Sequence, residues 1–182
     1  MAVIVIALIV AIALGAFFWH KDEPRREQAL QTSLDAMQGF NPSLTLFGAD
    51  GGTGIALDPG SREIGLLRPG RSAQRIPAAQ VLAAELYRDG EPLAAVQRPG
   101  ADARVSELKK KLSPPVVHRA EGEITRWQEV RRVELRLILD ADTAPAYDVR
   151  ILDREVRETD AVYGEAVSAG KHWLAQLGGL MQ

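Results

Sequence analysis

The pattern of apolar and polar residues divides the chain into an apolar first segment, an amphipathic second segment and a long region of short runs. The first segment, Ala2–Trp19, has no charged or strongly polar side chain. A helix of this length rises about 27 Å, close to the roughly 30 Å hydrocarbon core of a bilayer. The pattern predicts a transmembrane helix over residues 1–20. A cleaved signal peptide is the main alternative, but it needs preceding basic residues and a better cleavage site.

The residues that flank this segment predict its orientation. Six of them are expected to be membrane-interface anchors: Phe17, Phe18, Trp19, Lys21, Arg25 and Arg26. Aromatic rings favour the headgroup region, and the cations follow the segment while no Lys or Arg precedes it. We therefore expect a single-pass protein of the bacterial inner membrane, anchored in the lipid bilayer, with its amino terminus outside and its carboxyl-terminal domain cytoplasmic.

Residues 21–40 are predicted to form a helical linker or stalk. Pro24 suits a first helical position, and apolar residues recur at helical spacing from Ala29 to Phe40. Gly39 then favours the end of the helix. A helix lying on the membrane is the alternative, but few cations are available to it, so a plain connector is favoured.

The region from residue 41 to 182 is predicted to be a single β domain that ends in a helix. Its short apolar runs are broken by Gly, Pro and Asp, as is typical of strands and turns. The predicted strands are residues 43–48, 54–58, 63–67, 81–90, 129–140 and 147–152. The last two alternate apolar and polar residues and are expected to pair. An apolar stripe predicts a closing amphipathic helix over about 160–181.

The middle of this region, residues 91–128, carries the weakest pattern. A short helix over Ala101–Leu112 is the one element predicted there. It contains the cationic run Lys109, Lys110 and Lys111. A solvated helix face is the usual explanation of such a run, and anionic lipid headgroups are the alternative ligand.

Composition narrows the function classes. The chain has no cysteine, so disulfides, thiolate nucleophiles and cysteine-bound metals are excluded. A net charge of −2 does not favour nucleic-acid binding, and we expect no nucleic-acid partner. The excess of arginine over lysine indicates a GC-rich bacterial genome.

A glycine cluster at positions 48–54 suggests a phosphate-binding loop. Neither the Walker spacing nor the dinucleotide fingerprint is present, and Gly54 opens an alternating strand rather than a helix. We therefore predict that Ala49-Asp50-Gly51-Gly52 is a tight turn between two strands.

Other candidate chemistry is sparse. His20, His118 and His172 lack the spacing of metal ligands, and no serine lies in a nucleophile motif. The carboxylates fall on predicted turns and solvent faces. We expect no enzyme activity and no cofactor.

The order of elements resembles a pleckstrin-homology-like (PH-like) domain of an uncharacterised bacterial family of short membrane-tethered proteins. The resemblance rests on residues 54–67, 75–90, 130–152 and 169–177. It implies an α+β, mainly β fold: an antiparallel sandwich or barrel closed by the carboxyl-terminal helix. It also implies a recognition module without catalytic residues.

Together these observations predict a non-catalytic domain that binds an unknown protein or peptide partner. Two mechanisms fit such a domain: strand addition at an exposed sheet edge, and binding in a groove between the closing helix and a sheet. A membrane-anchored hydrolase and an anionic-lipid-binding domain are the alternatives.

Overall fold

A computed structural model of the chain describes residues 25–112 and 129–182. Eight strands form two four-stranded antiparallel sheets. The first sheet has the order β1 (Leu44–Phe47), β2 (Gly54–Asp58), β3 (Glu63–Leu67) and β4 (Gln74–Pro77). The second has the order β6-β5-β7-β8 and comprises β5 (Val81–Arg88), β6 (Glu91–Gln97), β7 (Glu129–Leu139) and β8 (Ala146–Arg157).

In the described part of the chain, three helices cover these sheets. They are α1 over residues 25–35, α2 (Asp102–Lys111) and α3 (Ala161–Met181). A short 3-10 turn, Ala78–Gln80, carries the chain from the first sheet to the second.

The first sheet is covered on both faces. Alternate residues of β2 point to opposite sides, so Ile55 packs toward the second sheet while Ala56 packs against α1. Leu30 and Leu34 of α1 are buried there together with Phe40. The described part of the predicted linker, from residue 25 on, is therefore packed against the first sheet, because α1 forms one wall of a hydrophobic cluster.

The second sheet is also covered on both faces. Its inner face packs against the first sheet and against the stripe of α3 that contains Trp173, Leu174 and Leu177. Its outer face packs against α2, where Val105 and Leu108 are buried. Burial of side chains of this size contributes about 1.5–3 kcal/mol each.

The predicted fold class is wrong because the two sheets do not close into a barrel. Each described strand pairs with neighbours in its own sheet, and β4 and β5, consecutive in sequence, belong to different sheets. The physical reason lies at the end of β4, where Pro77 has no amide proton for a continuing ladder and the chain turns away.

The predicted membrane architecture is also corrected. No helix within residues 25–112 and 129–182 is long and apolar enough to cross a membrane. The longest of them, α3, carries Glu165 and Lys171 on the side opposite its buried stripe. The predicted transmembrane helix, residues 1–20, lies outside the described residues. The inner-membrane location and the cytoplasmic orientation rested on that helix and are not retained.

Candidate functional site

Strand β6 forms one edge of the second sheet, beside β5. A two-residue turn joins these strands, with φ of 48° at Asp89 and 87° at Gly90. Positive φ at both positions matches the type I′ hairpin, for which Asp-Gly is a preferred sequence. After Glu91 the strand carries no charged residue up to Gln97.

The register shows which backbone groups of β6 face away from β5. Ala94 and Val96 lie opposite Leu86 and Ala84. The amide of Arg98, two residues further on, donates to the carbonyl of Leu82 at 2.8 Å. Since hydrogen-bonded and non-bonded pairs alternate in an antiparallel ladder, positions 94 and 96 face β5. The amide and carbonyl groups of positions 95 and 97 therefore point outward from the sheet.

Strand β6 is held in place at its carboxyl-terminal end and from beneath. Arg98 follows the strand and donates side-chain hydrogen bonds to the carbonyls of Ala78, at 2.5 Å, and Val81, at 3.0 and 3.1 Å. On the inner face α3 approaches so closely that a Cβ at Gly178 would lie 2.9 Å from Cγ2 of Val96. The edge is therefore preorganised, since its position is set by side-chain contacts at its end and beneath it.

The other three edges of the two described sheets carry features that discourage the addition of a further strand. Strands β1 and β4 have only four residues each. The carbonyls of Asp148 and Arg150 on β8 already accept hydrogen bonds from the β1–β2 turn, at 2.8 and 2.7 Å. The rest of β8 is rich in charge, with Asp153, Arg154 and Glu155 in succession. Short strands, covering loops and edge charges all discourage added strands, and within residues 25–112 and 129–182 β6 beyond Pro92 has none of them.

The glycine cluster forms a turn between β1 and β2, as predicted. Four of its amides are engaged within the protein: Gly48 donates to Thr53, Ala49 to Arg150, Gly51 to Gly48 and Gly52 to the Asp50 carboxylate. A phosphate cradle needs free amides pointing at one spot, so these cannot supply it.

Arg26, one of the predicted membrane anchors, lies against this turn. Its guanidinium donates to the carbonyl of Asp50 at 3.2 Å. A Cβ on Gly51, which has φ of 61°, would lie 2.7 Å from Cβ of Arg26. Arg25 is exposed at the start of α1. The other predicted anchors, Phe17, Phe18, Trp19 and Lys21, lie outside the described residues.

The predicted lipid-facing lysines lie at the end of α2. Lys109 forms an ion pair with Glu85 of β5, whose side chain is 7% exposed. Lys111 pairs with Glu107 at 2.9 Å. Lys110 is exposed, and the structure records no ion pair for it within the described residues. Two of the three lysine charges are thus paired with carboxylates of the protein itself, so a structural role explains Lys109 and Lys111.

A charged cluster occupies the outer face of the second sheet. Arg136 donates two hydrogen bonds to Asp148, at 2.7 and 2.9 Å, and lies 3.7 Å from Glu134. Burial raises the pKa of the Glu134 carboxyl, and the neighbouring Asp148 carboxylate raises it further. Burial likewise raises the pKa of Tyr87, which donates to Glu85 at 2.5 Å. This cluster is an internally paired network rather than an open reactive site.

Metal binding receives no support from the described part of the chain. Within it, no three His, Asp or Glu side chains are grouped so that they could hold a metal ion. His172 is exposed on α3, whereas His20 and His118 lie outside the described residues.

Comparison of the chain with protein-family models, with curated proteins and with solved structures finds no match. The resemblance to a PH-like domain therefore stays a prediction about sequence order, and the candidate site rests on geometry alone.

Sequence reasoning missed β6, although a signal for it was present. Asp89-Gly90 is a strong hairpin indication, and an uncharged run follows after Glu91. Pro92 and the two small residues Ala94 and Ala95 hid it, because none of them favours a strand.

Proposed function

We propose that this protein is a non-catalytic recognition domain that binds an extended segment of a partner protein by strand addition at β6. One observation carries the proposal: β6 is a firmly held edge whose outward amide and carbonyl groups at positions 95 and 97 face no other strand of the described chain. A further backbone is the natural partner for such a row of groups.

The surroundings of β6 favour a segment with uncharged side chains. Leu93, Ala94 and Val96 are partly buried against the hydrophobic core, and Ala95 is exposed on the other face. Side chains of an added strand alternate between these faces, so every second one would lie beside Val96 and the end of α3. An apolar residue at those positions extends the existing core, whereas a charged one is desolvated without a partner.

A peptide selected against the full chain provides the probe. Random ten-residue peptides are displayed, the enriched sequence is synthesised, and a series of derivatives carries one backbone N-methyl group each. Strand addition predicts an alternating pattern along the peptide. Methylation of an amide that faces β6 removes a hydrogen bond and adds a clash, so affinity falls at least tenfold, whereas methylation of the intervening amides has little effect.

Matched variants locate the contact on the protein. Ala95→Lys places a charge on the edge and is expected to abolish binding, while Ala36→Lys, the same change just after α1, leaves it unaltered. A methylation series without alternation, or equal loss in both variants, would show that the peptide binds elsewhere and would refute the proposal.

A further inference from the structure

A cavity opens at one end of the two packed sheets, between the β3–β4 loop and the β7–β8 turn. Its volume is about 340 Å³, within the range of small-molecule sites. Leu66, Ile76, Leu139 and Tyr147 form apolar walls, and no residue of β6 contributes to it.

Two arginines, Arg68 and Arg71, line this cavity without a compensating carboxylate. No Asp or Glu is among the lining residues, and within the described chain neither arginine forms an ion pair. The nearest acidic residues in sequence on the β7–β8 turn, Asp140 and Asp142, both accept hydrogen bonds from Arg104 of α2, at 2.9 Å each. These two carboxylates are thus paired with α2 and do not neutralise the arginines of the cavity.

Tyr147 positions one of these cations. Its hydroxyl donates to the carbonyl of Leu67 and lies 3.1 Å from that of Gly54, which fixes a buried ring between the sheets. The Arg68 guanidinium lies 5.1 Å from the centre of this ring. A cation–π contact of this kind orients the guanidinium, whose five N–H donors exceed what one contact with Tyr147 can use.

We propose that this cavity binds a small amphipathic carboxylate. The carboxylate would accept hydrogen bonds from Arg68 and Arg71, and the apolar part would lie against Leu66, Ile76 and Leu139. At about 30 Å³ for a water-sized group, the cavity holds on the order of ten non-hydrogen atoms. Octanoate has this size and both chemical features. A phosphate ion would satisfy the arginines but leave the apolar walls unoccupied.

Three probes test the chemistry on the full chain by calorimetry and by NMR of the arginine Nε–H groups. They are octanoate, the neutral isostere octanamide, and inorganic phosphate. We expect octanoate to bind and to shift the Arg68 and Arg71 signals, and octanamide and phosphate each to bind at least tenfold more weakly. Equal binding of octanamide would indicate a purely apolar cavity. Equal binding of phosphate would indicate a general anion patch, and no binding of octanoate would mean no site, so each of these results overturns the proposal.

Charge-matched variants locate the site. Arg68→Gln and Arg71→Gln are expected to weaken octanoate binding at least tenfold, whereas Arg154→Gln, an equal charge change on an exposed part of β8, leaves it unchanged. Loss of affinity in Arg154→Gln to the same extent would reduce the effect to overall charge and refute the site. Both cavity arginines are exposed, so the variants are expected to fold, and thermal unfolding checks this. If Arg68→Gln is unstable because its contact with Tyr147 is lost, Arg71→Gln alone provides the test. Failure here leaves strand addition at β6 untouched, because the two sites share no residue.

Discussion

The four glycines of α3 offer a direct test of how this helix packs on the second sheet. A Cβ at Gly170 would lie 2.9 Å from Cδ2 of Leu86, which is fully buried, and 3.2 Å from Cδ1 of Ile151. At Gly164 and Gly179 the same atom would meet nothing within 4 Å. Substitution by alanine therefore makes a close contact at Gly170, as it does with Val96 at Gly178, and fills open space at Gly164 and Gly179.

The magnitudes follow from two opposing effects. Replacing glycine by alanine inside a helix stabilises it by up to about 1 kcal/mol. Overpacking a well-filled core costs about 1–3 kcal/mol. Gly164→Ala should thus raise the free energy of unfolding by up to about 1 kcal/mol, or roughly 2–4 °C in Tm for a chain of this size. Gly170→Ala should lower the free energy of unfolding by up to about 2 kcal/mol.

Urea and thermal unfolding followed by circular dichroism measure both variants under the same conditions. Gly179→Ala serves as a second open-space control. If Gly170→Ala proves as stable as Gly164→Ala, α3 does not approach β5 at Leu86 as described, and the packing of this helix on the second sheet is contradicted.

Three further substitutions test the charged and buried groups by urea unfolding between pH 3 and 8. Burial raises the pKa of Glu134 in the folded protein, so its charged form opposes folding. Glu134→Gln should therefore be more stable than the wild type at pH 7. This difference in stability should vanish below about pH 4, near the pKa of the unfolded state. Hydrogen bonds from Asn41 and the turn amides lower the pKa of Asp58. Its stabilising effect is therefore complete above the unfolded pKa of about 3.9 and is lost as pH falls through the folded value, so Asp58→Asn should flatten acid unfolding. Tyr147→Phe removes the hydroxyl that donates to the buried carbonyl of Leu67 and should cost about 1–3 kcal/mol at every pH tested. No change of pH slope in the two carboxyl variants, or full stability of the tyrosine variant, would contradict these assignments.

Local patterns predicted the elements whose side chains alternate. The strand pair β2–β3 was recognisable from the turn at Pro59-Gly60-Ser61, and β7 from its regular alternation. The predicted closing helix corresponds to α3 within one residue at each end. β4 was missed because it is short and polar, with one buried residue, Ile76.

The arrangement of the sheets could not be predicted in the same way. A pattern of strands does not say whether β4 and β5 continue one sheet or enter two, since that depends on the turn after Pro77. The candidate sites also depend on long-range contacts. Lys109 and Glu85 are 24 positions apart, and Arg68 is far in sequence from Tyr147, so their contacts follow from tertiary packing.

Amide hydrogen exchange of the full chain, with and without the selected peptide, tests the central claim most directly. In the free protein the amides of Ala94 and Val96 face β5 and should exchange slowly, while those of Ala95 and Gln97 face outward and exchange faster. Strand addition predicts that peptide binding slows Ala95 and Gln97 at least tenfold and leaves the other two nearly unchanged. Bound peptide with unchanged exchange at both Ala95 and Gln97 would contradict recognition at β6.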